Sequence, residues 1–252
     1  MARQEGTGPG AGDLKRQLAN WLRLVELSGT REVIVADSGI PEPGGPGESV
    51  ESGDTEDPFG SLWEELRDCR RCDLYESRTN VVFGEGNPQS DIMFIGEGPG
   101  ADEDRTGRPF VGRAGALLTR IIQAMGLERE DVYIANIVKC RPPGNRDPEP
   151  DEISECLPYL EKQIDIIRPT VICALGRVAA QTLVDDRRGI SALRGSFFEY
   201  RGIRLMPTFH PAACLRQPAN KRLVWEDIKK VMKELGLPIR GVMRNGPGKN
   251  RN

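Results

Sequence analysis

The amino-acid sequence predicts an α/β fold in which a four-stranded parallel sheet is covered by helices on both faces. Three observations predict it. Short apolar runs alternate with stretches of helical periodicity, the pattern of strand–helix–strand units. The runs are nearly continuous in apolar residues, as strands buried on both faces require. The unusual residues gather where the runs end, and in such sheets the carboxyl ends of the strands are where ligands bind.

Residues 13–28, DLKRQLANWLRLVELS, place Leu14, Leu18, Leu22 and Leu24 at roughly helical spacing, with Asp13 as N-cap candidate. Residues 36–57 are rich in Gly, Pro, Ser and acid, a composition too poor in apolar surface to order itself. Three segments are expected: an N-terminal helix and acidic linker at 1–57, a globular domain at 58–237, and a basic flexible tail at 238–252. Within the domain, strands are expected at 91–96, 131–138, 170–176 and 204–209, and helices at 113–125, 149–168, 177–184 and 220–235. The strand ends read GEGPG, NIVKC, ALG and FHP.

The 252 residues suffice for one good-sized domain with tails. No run approaches the ~18 apolar residues of a membrane helix. The N-terminus has no apolar signal core, so a cytoplasmic protein without membrane contact is expected. Six cysteines in such a chain indicate metal binding or catalysis instead of disulfides. The net charge of −3 divides into −6 for residues 1–57 and +3 for the remainder, a balance that permits nucleic-acid binding without demanding it.

Cys69 and Cys72 form a C-x-x-C, which alone fits a redox pair, half a zinc site or half an iron–sulfur site. Cys140 and Cys156 bring the count to four. Zinc ligands usually come as two close pairs, and the second pair here is spread out, which favours an iron–sulfur cluster while zinc stays open. Four unrelated buried cysteines are the bland alternative. Cys173 lies inside an apolar strand and Cys214 beside the histidine, and both read as packing.

The most informative stretch is FIGEGPGADEDRTGRPFVGRAGALL. A strand ends at Gly96, and the following glycines let backbone approach a ligand closely. There is no G-K-[ST], and the spacing does not fit a dinucleotide fingerprint. Phe110 is either a stacking platform for a base or a core residue. His210 is the chain's single histidine and follows a strand at the expected ligand edge. Asn136 either caps a strand end or reads a base with its donor and acceptor.

GEGPG, GRPFVGRAG, NIVKCRPPGNR and HPAACLR, in that order and with the four cysteines, closely resemble family 4 uracil-DNA glycosylases, the iron–sulfur (type 4) members of that group. The match covers roughly residues 59–235. Relatives that crosslink to uracil carry a basic, histidine-containing insertion after the second motif, whereas here VGRAGALLTR runs straight into a helix. The resemblance implies the three-layer αβα uracil-DNA glycosylase fold with a central four-stranded parallel sheet. It implies a [4Fe–4S] cluster on Cys69, Cys72, Cys140 and Cys156, in a structural role. It implies base excision repair chemistry: uracil is flipped out of single- or double-stranded DNA, and the N-glycosidic bond is hydrolysed to leave an abasic site. Phe110 would stack on the uracil and Asn136 would pair with its O4 and N3. The backbone of Gly96, Glu97 and Gly98 would line the pocket, and His210 would donate to O2.

The best-known relatives position the attacking water with an Asp where this chain has Gly98. Glu97 is the first candidate to take over, while Asp102 or Glu103 would hold water or block the C5 methyl of thymine. Asp102 and Asp104 also read as solvated loop charges. Leu215 and Arg216 would enter the minor groove, and Lys139, Arg141 and Arg146 would hold phosphates. The protein is expected to be a monomer, with the N-terminal segment a candidate to recruit a repair or replication partner. Two rivals stay open: a non-catalytic nucleic-acid-binding protein of the same fold, favoured by Gly98, and a zinc-stapled hydrolase of a small substrate.

Overall fold

The computed structural model describes residues 57–239. The expected helix at 13–28, the linker at 36–57 and the tail at 238–252 lie outside the described residues, apart from residues 57, 238 and 239.

The strands are β1 (Glu85–Gly86), β2 (Ile92–Gly96), β3 (Tyr133–Asn136), β4 (Val171–Leu175), β5 (Phe198–Tyr200) and β6 (Ile203–Thr208). They form one sheet in the order β1-β3-β2-β4-β6-β5. The central four are parallel, and these are the four strands expected from sequence. The two short edge strands pair antiparallel and were not foreseen.

The helices in chain order are α1 (Pro58–Arg67), α2 (Leu74–Ser77), α3 (Ala101–Thr106), α4 (Arg113–Ala124), α5 (Pro150–Ile167), α6 (Arg177–Val184), α7 (Ile190–Leu193), α8 (Pro211–Arg216) and α9 (Asn220–Glu234). Local chemistry sets their starts. Asp57 Oδ1 accepts the Phe59 N–H at 3.1 Å, with Pro58 at the first position of α1. Pro150 opens α5 behind a reciprocal Glu149–Glu152 capping box. None of the described helices is long and apolar enough to cross a membrane.

Successive strand residues face opposite layers. Met93 and Ile95 pack with Leu62 of α1, Leu160 of α5 and Ala180 of α6. Ile92 and Phe94 pack with Leu118 of α4 and Ile228 of α9. Phe94 is fully buried, and such burial is worth about 1.5–3 kcal/mol. Two cores thus sandwich the sheet, as the continuous apolar runs require. The chain leaves β2 toward the α4 layer and β4 toward the α6 layer. The connections therefore part company between β2 and β4, which opens a crevice at the carboxyl ends of these strands.

Candidate active site

A cavity of about 640 Å³ occupies that crevice, lined by Glu97, Phe110, Asn136, Gly176 and His210 among others. Asn136 closes β3 and pairs in register with Gly96 at the end of β2. A Cβ on residue 96 would stand 2.4 Å from Asn136 Oδ1 and 2.6 Å from Phe110 Cζ, so glycine is needed for both side chains to reach the floor. Asn136 is 1 % exposed. Its Oδ1 is the one buried side-chain oxygen or nitrogen among the described residues without a hydrogen-bond partner. Buried acceptors are normally paired, so this atom marks where a ligand donor belongs.

Phe110 is held in a left-handed conformation, φ 51°, which costs a non-glycine residue about 1–2 kcal/mol. The surroundings enforce it. Arg129 donates from Nη2 to the Pro109 carbonyl at 2.9 Å and from Nη1 to the Phe110 carbonyl at 3.2 Å, and is itself paired with Glu85. Glu103 Oε1 accepts the N–H groups of Val111 and Gly112, both at 2.9 Å. Gly115 on α4 leaves room for the Phe110 carbonyl, which would lie 1.8 Å from a Cβ there. The Phe110 ring comes to rest 5.5 Å from the His210 ring, tilted by 35°.

His210 is the N-cap of α8, and its Nδ1 accepts the Ala212 N–H at 3.1 Å. The neutral ring therefore carries its proton on Nε2, where it is a donor. Burial, reinforced by the Arg216 charge and opposed by Glu103, lowers its pKa to about 4. Behind it, Thr208 Oγ1 donates to the fully buried Asp227 at 2.6 Å, and Arg194 grips the same carboxylate. Glu97 is half-buried. Burial and the neighbouring Asp147 carboxylate, opposed by Arg177, raise its pKa to about 7. Arg177 and Asp147 form an ion pair beside it. At Gly98 a Cβ would meet Val138 Cγ2 at 2.7 Å, so a larger residue there would require Val138 to shift.

Cys69, Cys72, Cys140 and Cys156 line one small, separate cavity. The first two lie between α1 and α2, the third follows β3 and the fourth is on α5. All four are free thiols. Three of the sulfurs receive hydrogen bonds: Arg78 Nη1 reaches Cys140 at 3.2 Å, the Lys139 N–H reaches Cys156 at 3.2 Å, and Tyr159 Oη reaches Cys69 at 3.7 Å. Burial pushes the Cys156 thiol up to about 12. Thiols so disposed become thiolates when a bound cation compensates them. Among the described residues no group of three or more His, Cys, Asp and Glu side chains is placed to hold a single metal ion. Four cysteine sulfurs around one small cavity are a donor set that suits zinc or an iron–sulfur cluster.

Several expectations need correction. Lys139 is 0 % exposed, and its Nζ donates to Gln163 Oε1 at 2.6 Å, so it cannot hold a phosphate. Asp104 is not a solvated charge: it is buried, and its Oδ1 accepts the Thr79 N–H at 2.8 Å. Leu215 is half-buried against the α4–α9 core, and this packing competes with a role as a wedge. Arg146 is committed to Glu152 in a bidentate pair. Arg216 is exposed at the cavity mouth, and Arg141 is bound to Asn145 at 2.8 Å. Cys173 and Cys214 are core, as expected. The roles of Arg129, Asp147 and Arg177 were not foreseen, because each depends on a partner distant in sequence.

Fold and cavity together define an α/β protein whose cavity at the strand ends is lined by an aromatic ring, an imidazole and the side chain of Asn136. Residues 83–229 match the uracil DNA glycosylase superfamily. The chain is 51 % identical over 171 residues to a type-4 uracil-DNA glycosylase of Thermotoga maritima, covering 66 % of this chain and 89 % of that one. It is 49 % identical over 188 residues to the type-4 enzyme of Saccharolobus solfataricus, covering 71 % and 87 %, and 47 % identical over 184 residues to that of Sulfurisphaera tokodaii, covering 69 % and 84 %. The chain belongs to the uracil DNA glycosylase superfamily and, within it, to the type-4 family.

Proposed function

We propose that this chain removes uracil from DNA by hydrolysing the bond between uracil N1 and deoxyribose C1′, leaving an abasic site for base excision repair. The observation that carries this is the unpaired Oδ1 of Asn136, a residue that lines one cavity with Phe110 and His210. Uracil flipped from the helix would stack on Phe110. Its N3–H would satisfy Asn136 Oδ1, and its O4 would accept from Nδ2. Cytosine presents the opposite pattern at these positions. As the bond breaks, negative charge gathers on O2 and N1, and the His210 Nε2–H meets it at O2 without needing to be charged. The sugar, oxocarbenium-like, is captured by water.

Glu97 would orient that water. Its carboxylate form is the active one, and a pKa of about 7 means that activity falls as pH drops through about 7. Asp147→Asn removes the repulsive neighbour and frees Arg177, both of which favour ionised Glu97. The midpoint of the single-turnover rate against pH is expected to move to lower pH. A midpoint unchanged in this variant rules Glu97 out.

Cys69, Cys72, Cys140 and Cys156 would hold a [4Fe–4S] cluster, which supplies a cross-link and no step of the hydrolysis. These ligands tie the segment after α1 and the loop after β3 to α5, and so hold the loop that follows Asn136. Arg216 and Arg141 would contact phosphates, so affinity falls as salt rises. The test uses oligonucleotides with one uracil, single-stranded or paired with G or A, followed by alkaline cleavage of abasic sites. Strand cleavage at the uracil is expected. Binding without cleavage favours the non-catalytic reading.

A further inference from the structure

We propose that Asp227, gripped by Arg194, is a positioning residue for His210 and acts on it through Thr208. The inference rests on the reading above, which gives His210 the hydrogen bond to uracil O2. Among the described residues the His210 ring has one hydrogen bond, accepted by Nδ1 from the Ala212 N–H. The direction of Nε2 therefore depends on where the backbone places the ring. That backbone is anchored from behind. Thr208 closes β6 in register with Leu175 of β4. It is fully buried, and its Oγ1 donates to Asp227 Oδ2 on α9 at 2.6 Å. Arg194, the residue after α7, donates to the same carboxylate from Nε at 2.9 Å and from Nη2. Its Nη2 also donates to the Leu223 carbonyl at 2.8 Å.

The Arg194 guanidinium lies 5.9 Å from the centre of the Phe209 ring. The two residues before His210 are thus both held, one by its hydroxyl and one by its ring. From the other side, the Gly176 N–H donates to the Thr208 carbonyl at 2.9 Å. A Cβ on residue 176 would stand 2.9 Å from His210 Cβ, so the histidine backbone sits close against that glycine. Asp227 is itself fully buried. A buried ion pair is weak support for stability, because desolvation of the two charges offsets their attraction. It is a strong way to fix place, since a carboxylate that takes donors from two elements locks α7, α9 and the end of β6 into one geometry. Catalysis rewards such fixing: a misplacement of about 1 Å can cost about 10²-fold in rate.

Thr208→Val keeps the side-chain shape and removes the hydroxyl that ties the strand end to Asp227. A merely structural role lowers stability and leaves the ring and its coupling to the rate untouched. The experiment measures the single-turnover rate at saturating enzyme on an oligonucleotide with one uracil, and the Kd for the same oligonucleotide without uracil. It also records the ring-nitrogen chemical shifts of histidine, which belong to His210 alone because the chain has one histidine. Wild type that releases no uracil overturns the function proposed above, and this proposal with it. With wild type active, Thr208→Val is expected to lose about 10- to 100-fold in rate at unchanged Kd, and Thr208→Ser to recover most of that loss. The ring shifts are expected to move from the Nε2–H form toward a mixture of tautomers. In a His210→Gln background Thr208→Val should cost less than about twofold, because the ring through which it acts is gone. A rate or ring spectrum equal to wild type, or the same loss with and without His210, overturns the positioning role. Should Thr208→Val give no folded protein, Arg194→Lys is read in the same assays, since it keeps a cation beside Asp227 and loses the forked grip. The same pattern supports the proposal, and unchanged values or a loss independent of His210 overturn it.

Discussion

Asn136→Leu is expected to slow uracil release steeply while leaving the protein at least as stable as before. The two effects share one cause. Asn136 Oδ1 is buried with no protein partner among the described residues, and an unpaired buried acceptor costs about 1–3 kcal/mol. Leucine has nearly the same shape and no such atom, and Gly96 leaves space for its branch. Melting temperature should hold or rise. With uracil bound, the missing amide deprives N3–H and O4 of their partners, each loss worth about 1–3 kcal/mol. Together they predict a fall in the single-turnover rate at subsaturating enzyme of roughly 30-fold to 10⁴-fold. Opposite signs in activity and stability are the mark of a group kept for function. A variant that loses stability and activity together, or keeps its activity, would show that Asn136 is a strand-end cap instead.

Much of this site is legible in the sequence, because the sheet converts local pattern into place. The four long apolar runs become the four parallel strands, and parallel strands put their ends on one edge. Gly96, Asn136 and His210 therefore meet although they are scattered along the chain. What the sequence hides is decided by distant partners. NIVKC looks like a solvated strand end, yet Gln163, on α5, draws Lys139 inward. Asp104 looks like one charge among several in ADEDR, yet it caps the backbone of Thr79 and Asn80. Edge strands of two and three residues carry no periodicity to read. The left-handed Phe110 is equally invisible, since Arg129 and Gly115 hold it from outside its own loop. Composition offered metal or catalysis for the cysteines, the resemblance grouped four of them, and the shared cavity brings Cys69 and Cys72 together with Cys140 and Cys156.

His210→Gln is the second variant with a large expected effect, and it separates chemistry from folding through pH. Removing a donor aimed at developing negative charge costs about 10²–10³-fold in rate. The loss should be similar at every pH above about 5, because a pKa near 4 keeps the ring neutral there. On the proposed role of Glu97, the acid limb of wild-type activity would be its own and is expected to remain in the variant. Stability behaves differently. The folded pKa of His210 lies below its ordinary value of 6.5, so between about 4 and 6.5 the unfolded chain binds a proton that the folded protein refuses. The contribution is fully present above about 6.5 and is lost as pH falls toward 4. Protonation would also place an N–H on Nδ1, against the Ala212 N–H that it now accepts. Glu97 acts with the opposite sign: its pKa is raised, so it strengthens folding as pH falls from about 7 toward 4.5. Melting curves in a Glu97→Gln background remove that term. The drop in melting temperature from about pH 7.5 to about pH 5 should then be smaller in His210→Gln than in its parent. No other histidine blurs the comparison, since the chain has one. Equal drops would mean that His210 titrates alike in the folded and unfolded states. The ring would then gain a proton as pH falls through about 6.5, and the expected pH-independence of the His210→Gln loss down to about pH 5 would fail with it.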